Sequence, residues 1–253
     1  MSTAPALWRG RGVAAWLLWP LSLLFRLVSS FRRAAFRAGL LRADRLPVPV
    51  VVVGNIIAGG AGKTPLTLYL ARALAERGWR PLIVTRGYGG RADAVHEVGA
   101  RADVTESGDE PVLLARRSGL PVWVGRRRAE AARAGLTAHP ECDLVLCDDG
   151  LQHYALARDV EIAVLDRRGV MNGFHLPAGP LREPLARLRT VDAVVLNGLT
   201  AAPTAARAAF RMRLLGDRFQ RLDVPGQQAV AADLRGLRLH AVAMDPRLLE
   251  ILV

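Results

Sequence analysis

Lysine is almost missing from this sequence. Of 35 basic residues one is a lysine, Lys63, and every other is arginine. That absence excludes a guanine-nucleotide switch, whose base reader needs a lysine on a later strand; Asn197-Gly198-Leu199 cannot supply it. It also argues against the positioning-type membrane ATPases, which use a second lysine early in the phosphate loop, where Ile57 and Ala58 stand here. Cysteine is scarce too. Cys142 and Cys147 are too few for a disulfide scaffold, have no metal-ligand spacing, and read as core thiols of a reducing compartment. The five histidines are scattered, so no zinc site is expected. Long apolar runs are lacking as well. The longest near the N-terminus, Val13 to Phe25, has thirteen residues with Pro20 inside it, short of the roughly 20 that span a bilayer.

The one lysine sits where a compact ammonium is needed. Val50 to Val53 reads as a strand buried on both faces. A glycine-rich loop follows, then Lys63 and Thr64, then an apolar helical pattern over about 65–77. Strand, glycine loop, Lys-Thr and helix form a nucleotide phosphate cradle, in which backbone N–H groups and the helix N-terminus face phosphate oxygens. The lysine reaches the β- and γ-phosphates, and the threonine hydroxyl serves Mg²⁺. The loop departs from the strict pattern, because Ile57 stands where its first glycine belongs. Ala58-Gly59-Gly60-Ala61-Gly62-Lys63-Thr64 is the paired-glycine variant.

A second apolar strand, Leu144 to Cys147, ends in Asp148 and Asp149. An acid at a strand tip opposite the threonine is the complementary half of such a site. Further candidates lie on loops at strand ends. Arg86 and Tyr88 follow the strand Pro81 to Thr85, at the sheet edge where ligands bind; a plain surface loop is the alternative. Asp109 and Glu110 open a short helix, where acids also serve as caps. His153 either serves the nucleotide or is structural. Asp166 tips the strand Ile162 to Leu165, and Ala193 to Leu196 forms another strand. Arg126-Arg127-Arg128 reads as a solvated charge run without a role.

The net charge is +12. A basic chain suggests nucleic acid, but residues 1–45 carry eight arginines against one aspartate, hence +7 of the total, together with three of the five tryptophans. Basic, tryptophan-rich and leucine-rich sequence fits an anionic membrane surface rather than nucleic acid. Leu21, Leu24, Phe25, Val28, Phe31 and Ala35 share one helical face, while Arg26, Arg33 and Arg37 share the other. An interfacial amphipathic helix is expected; a helix packed on the protein's own core and a cleaved signal are the alternatives.

In combination, these stretches resemble the tetraacyldisaccharide 4′-kinases of lipid A biosynthesis. They are Gly54-Asn55 through Gly59-Gly60-Ala61-Gly62-Lys63-Thr64-Pro65, Arg86-Gly87-Tyr88-Gly89, Gly108-Asp109-Glu110-Pro111, Asp148-Asp149-Gly150-Leu151-Gln152-His153, and Leu-Pro-Ala-Gly-Pro-Leu-Arg-Glu-Pro at 176–184. The resemblance implies a P-loop, mostly parallel α/β sheet with helices on both faces. It implies ATP and Mg²⁺, an acylated disaccharide 1-phosphate as acceptor, and the cytoplasmic face of a bacterial inner membrane, bound peripherally or monotopically. By the same likeness Gly59 through Pro65 hold the nucleotide, and Thr64, Asp148, Asp149 and Glu110 serve the metal. Asp109 acts as base with Lys63 and His153, and Arg86, Tyr88, Arg182 and Glu183 attend the substrate. The expected organisation is a membrane-associated segment over 1–45, a kinase domain over 46–235, and a remnant of a C-terminal lobe over 236–253. The family's lobe carries a catalytic histidine that His240 does not match. An inactive, membrane-bound nucleotide binder is the alternative that this expectation keeps open.

Overall fold

The computed structural model describes residues 5–91, 94–199, 201, 202, 204, 206–214, 218–220, 228–230 and 233. Two units are distinguished, Ala4–Met212 and a second that includes Arg213–Val253. In the second, strands Arg218–Gln220 and Gln228–Val230 pair antiparallel. The boundary expected at 235 and the segment 236–253 lie outside the described residues.

The first unit is built on an eight-stranded sheet. Its strands are β1 (Val50–Gly54), β2 (Pro81–Thr85), β3 (His96–Glu97), β4 (Val122–Val124), β5 (Leu144–Cys147), β6 (Val160–Asp166), β7 (Ala193–Asn197) and β8 (Ala209–Met212). The order is β3-β4-β2-β5-β1-β6-β7-β8, with only β3 antiparallel to its neighbour. The valine run explains the centre. Val50 and Val52 point to one face, where they pack with Val145, Cys147 and the alanines of helix α5 (Arg128–Ala138). Val51 and Val53 point to the other, toward α2 (Lys63–Ala75) and its neighbours. Helix α4 (Asp109–Ser118), which follows the single turn α3 (Val104–Ser107), joins α2 on that face through Val112 and Leu114, so the sheet is covered on both sides, as parallel sheets require. Both cysteines are free and buried.

Parallel strands point their C-terminal ends the same way. The loops after β1, β2, β5, β6 and β7 therefore emerge along one edge, and β1 stands where the chain switches from β5 on one side to β6 on the other. That is where an open α/β sheet leaves a crevice.

Helix α1 (Val13–Arg37) joins the thirteen-residue apolar run and the expected amphipathic stretch in one element. It runs 25 residues through Pro20 and Arg26, long and apolar enough to cross a membrane by length and composition. An interior proline costs about 3 kcal/mol; side-chain anchors beyond it tie the helix to the body. Ser22 Oγ donates to the His175 carbonyl at 2.8 Å and accepts from Ala178 N–H at 3.0 Å. Arg32 reaches the Gln152 carbonyl at 3.4 Å, and Arg33 the Thr190 hydroxyl at 3.3 Å. The preceding turn is fixed to the same loop: Trp8 Nε1 donates to the Pro177 carbonyl, and Arg11 Nε to that of Asn172. Small residues, Ala15, Ser22 and Ala35, face inward. Leu17, Leu21, Leu24, Val28 and Phe31, spaced four and three apart, are exposed.

Candidate active site

The loop between β1 and α2 is shaped by its glycines. Gly62 caps α2 with φ of 91°, which a side chain rarely adopts. A Cβ there would stand 2.6 Å from Asn197 Nδ2. The helix therefore starts at Lys63, two residues earlier than the apolar pattern suggested. Pro65 falls in its first turn, where a missing N–H leaves no helical bond unmade.

Lys63 and Thr64 project from that turn against the tip of β5. The ammonium of Lys63 lies 3.6 Å from Asp149 Oδ1. Thr64 Oγ1 donates to Asp148 Oδ2 at 3.2 Å, and Thr67 Oγ1 to Asp148 Oδ1 at 3.1 Å. Asp148 Oδ1 also accepts its neighbour's N–H at 3.0 Å. Asp149 takes a left-handed backbone, φ 48°, sparsely populated by side-chain-bearing residues. Arg182, from the proline-rich loop, reaches its carboxylate at 3.5 Å.

The electrostatics divide the two acids. Burial drives Asp148 above the ordinary carboxylate range, with help from Asp149, against Lys63 and the two threonines. Burial pushes Asp149 the same way, but Lys63, Arg182 and Arg128 outweigh it and hold this carboxyl low. Glu110, in the first turn of α4, is raised by burial and by the negative charge of Asp148. It therefore faces the same cluster. Its neighbour Asp109, the first residue of the helix, accepts the Glu110 N–H at 2.9 Å. Gly108 allows α4 to start there: with φ of 90° it lies against the Tyr88 carbonyl, 2.6 Å from where a Cβ would stand. The Arg86–Gly90 loop and the Gly108–Pro111 turn are thus interlocked through backbone, while the Tyr88 side chain is exposed.

Two candidates sit differently. Both oxygens of Glu183 are engaged inside the protein. Gln152 Nε2 donates to one at 3.0 Å, and Tyr154 Oη and Arg187 Nε donate to the other at 2.8 and 3.0 Å. Its surroundings tie the loop after β5 to the start of the phosphate loop, since Gln152 also donates to the Asn55 carbonyl. His153 is held neutral. Burial and the charges of Arg128, Arg158, Arg32 and Arg86 lower it to about 4. A histidine with folded pKa below its unfolded 6.5 binds fewer protons when folded, so stability falls as pH drops from 6.5 through about 4. The wild-type melting temperature is expected to decline between pH 7 and 5 more steeply than that of His153→Gln, by a few degrees after allowance for partial exposure. Parallel slopes in paired melts would remove His153 from the account.

The reading of Arg126–Arg128 as a solvated run is corrected for Arg128. It is buried, and its Nη2 donates to the Asp149 carbonyl at 2.7 Å. A charge run carries no mark of which member turns inward; the packing of the α5 N-terminus against the β5 tip decides it. Arg168 and Asn197, beside the phosphate loop at the tips of β6 and β7, were not singled out from sequence.

Among the described residues no three His, Cys, Asp or Glu side chains converge as a preformed metal centre. The donors present are hard oxygens, the Thr64 hydroxyl and the Asp148 and Asp149 carboxylates. A buried carboxylate pushed up by desolvation gains from a cation beside it. This set suits Mg²⁺, which takes one or two carboxylates and completes its shell with water and phosphate.

The family model for tetraacyldisaccharide-1-P 4′-kinase matches residues 14–249. The tetraacyldisaccharide 4′-kinase of Dechloromonas aromatica (strain RCB) is 58% identical over 238 residues, 93% of this chain and 70% of that one. That of Azoarcus sp. (strain BH72) is 53% identical over 245 residues, covering 96% and 72%. A crystal structure of "apo" form LpxK from Aquifex aeolicus in complex with ATP superposes with a TM-score of 0.70 at 32% identity. The match takes in 82% of this chain and 65% of that one, a little under two thirds of the solved chain's length.

Proposed function

This chain belongs to the family of tetraacyldisaccharide-1-P 4′-kinases, ATP-dependent phosphotransferases of lipid A biosynthesis, and we propose that it moves the γ-phosphoryl group of ATP onto the 4′-hydroxyl of a tetraacyl disaccharide 1-phosphate. The observation that carries this reading is the junction of Lys63 and Thr64 with the Asp148–Asp149 pair, at 3.6 and 3.2 Å. Lys63 neutralises charge on the transferred group. Thr64, Asp148 and Asp149 hold Mg²⁺, which when bound supplies further neutralisation of the phosphates. Asp109 accepts the acceptor's hydroxyl proton, with Glu110 and His153 beside the site. Arg182 orients Asp149, and Arg86 and Tyr88 line the approach for the sugar. In the transfer, the bond from the γ-phosphorus to the bridging oxygen breaks as the 4′-oxygen attaches. ADP leaves with the bridging oxygen's electron pair, and the hydroxyl proton passes to Asp109. Transfer of labelled phosphate to the lipid in detergent micelles tests this. Asp109→Asn is expected to reduce turnover about 10²–10⁴-fold, the usual weight of an acid–base group; wild-type turnover in that variant overturns the assignment.

The lipid acceptor requires a membrane surface, and we propose that the chain lies on the cytoplasmic face of the inner membrane through α1. Support comes from the exposed Leu17–Phe31 stripe beside arginines. Tethers at Ser22, Arg32 and Arg33 keep the helix along the body and favour a monotopic arrangement over a span. Leu24→Glu with Phe31→Glu should lower binding to vesicles of anionic phospholipid roughly ten-fold or more. Equal sedimentation with the vesicles would count against it.

A further inference from the structure

Three consecutive carbonyls of the phosphate loop are each taken by a side chain, one from the loop's own start and two from outside it. Asn55 Nδ2 donates to the Gly59 carbonyl at 3.0 Å. Arg168 Nη2 donates to the Gly60 carbonyl. Asn197 Nδ2 donates to the Ala61 carbonyl at 3.3 Å. The loop peptides are trans, and in a planar trans peptide the C=O and the following N–H point in opposite directions. Holding each carbonyl therefore fixes the direction of the N–H that follows it, that of Gly60, Ala61 and Gly62 in turn. Successive N–H groups fixed in a turn form an anion-binding concavity.

The clamps are themselves built. Arg168 is fixed by Asp166 at the tip of β6: its Nε and Nη2 both lie 2.7 Å from Asp166 Oδ2, and its backbone N–H donates to Oδ1 at 3.0 Å. Its guanidinium packs on Gly59, 3.0 Å from where a Cβ would stand. Asn197 ends β7 and comes so close to Gly62 that only glycine fits between. β6 and β7 follow β1 in the sheet, so the tips of these two strands brace the loop that springs from β1.

We infer that Arg168, anchored by Asp166, and Asn197 are positioning residues for the nucleotide, pre-orienting the Gly60–Gly62 amides toward its phosphates without touching the reacting atoms. The inference rests on the kinase reading and adds two residues to it. A loop already turned has less to reorganise when a triphosphate arrives, so the clamps act on nucleotide affinity.

The test is direct binding of MgATP to the full chain in detergent, with melting temperatures measured without nucleotide. Arg168→Ala and Asn197→Ala are each expected to raise Kd about ten-fold, the scale of one hydrogen bond, with the nucleotide-free melting temperature unchanged. Asp166→Asn should weaken binding in the same direction. Combined with Arg168→Ala it should add nothing further, because both act through one contact. Arg168→Lys should restore part of the affinity, since an ammonium cannot keep both the aspartate and the carbonyl in a planar fork. Wild-type affinity in both alanine variants overturns the inference, and so does a loss that follows a fall in the nucleotide-free melting temperature. If the wild-type chain itself fails to bind MgATP, the kinase reading falls and takes the inference with it.

Discussion

Lys63→Ala is expected to lower kcat/KM for ATP by at least about 10³-fold, the upper range for one preorganised electrostatic group. Lys63 is only 8% exposed, so water screens its charge little and replaces it poorly. Lys63→Arg should not rescue. A planar guanidinium needs more room and a different approach than a point charge, and the residue it would replace is buried beside Asp149. A second signature is thermal. Lys63 opposes the upward push of burial on Asp148, Asp149 and Glu110. Without it, the three carboxylates face one another with less compensation. The penalty exists only while they are ionised and disappears as pH falls through their range. Paired melts should therefore show a larger loss for Lys63→Ala at pH 8 than at pH 5. An equal loss at both would mean that the lysine does not govern the acids, whatever it does for ATP.

The inner strands β1, β2 and β5 are legible in the sequence because each is a short apolar run, whereas β3 and β8, a His-Glu pair and an exposed Ala-Phe-Arg-Met stretch, are not. Val50–Val53, Pro81–Thr85 and Leu144–Cys147 all declare themselves. Their order does not. That β1 lies between β5 and β6 depends on pairings about a hundred residues apart, which no local period encodes. The same division holds at the site. Lys63, Thr64, Asp148 and Asp149 are recognisable because loop and strand-tip chemistry fix their residue types. Arg128, Arg168 and Asn197 are not. An arginine among 34 and an asparagine at a strand end carry no distinguishing neighbourhood. Their meaning comes from which strand tip stands beside which loop. Glu183 gives the converse lesson: its place in a Leu-Arg-Glu-Pro motif suggests a ligand, whereas its oxygens are satisfied by Gln152, Tyr154 and Arg187. In α1 the outward stripe was readable from spacing. The helix's passage through Pro20 was not, because the anchors that tie it down come from residues 175 and 178.

Asp148→Asn should separate stability from activity in opposite directions. Asp148 is 1% exposed, and burial together with Asp149 makes its negative charge costly. Asparagine keeps the shape and most of the bonds. Its carbonyl can accept from Thr67 and from the Asp149 N–H, as Oδ1 does now, and its amide can donate to a Thr64 hydroxyl turned to accept. What disappears is an ionised group whose folded pKa lies above its unfolded value. Such a group lowers stability progressively as pH rises from about 3.9 through the folded pKa, and the cost persists above it. At pH 7 the variant without nucleotide should therefore melt at or above the wild-type temperature, by up to roughly 2–4 °C for each kcal/mol of relieved desolvation. Turnover moves the other way. A neutral amide cannot neutralise Mg²⁺ or hold it as a carboxylate does, and a loss of about 10²–10³-fold is expected. The added stability from MgATP, which binds only the folded state, should shrink with it. A variant that melts well below wild type would show that the Asp148 charge is compensated inside the folded protein. One that kept full turnover would remove this carboxylate from the metal site altogether.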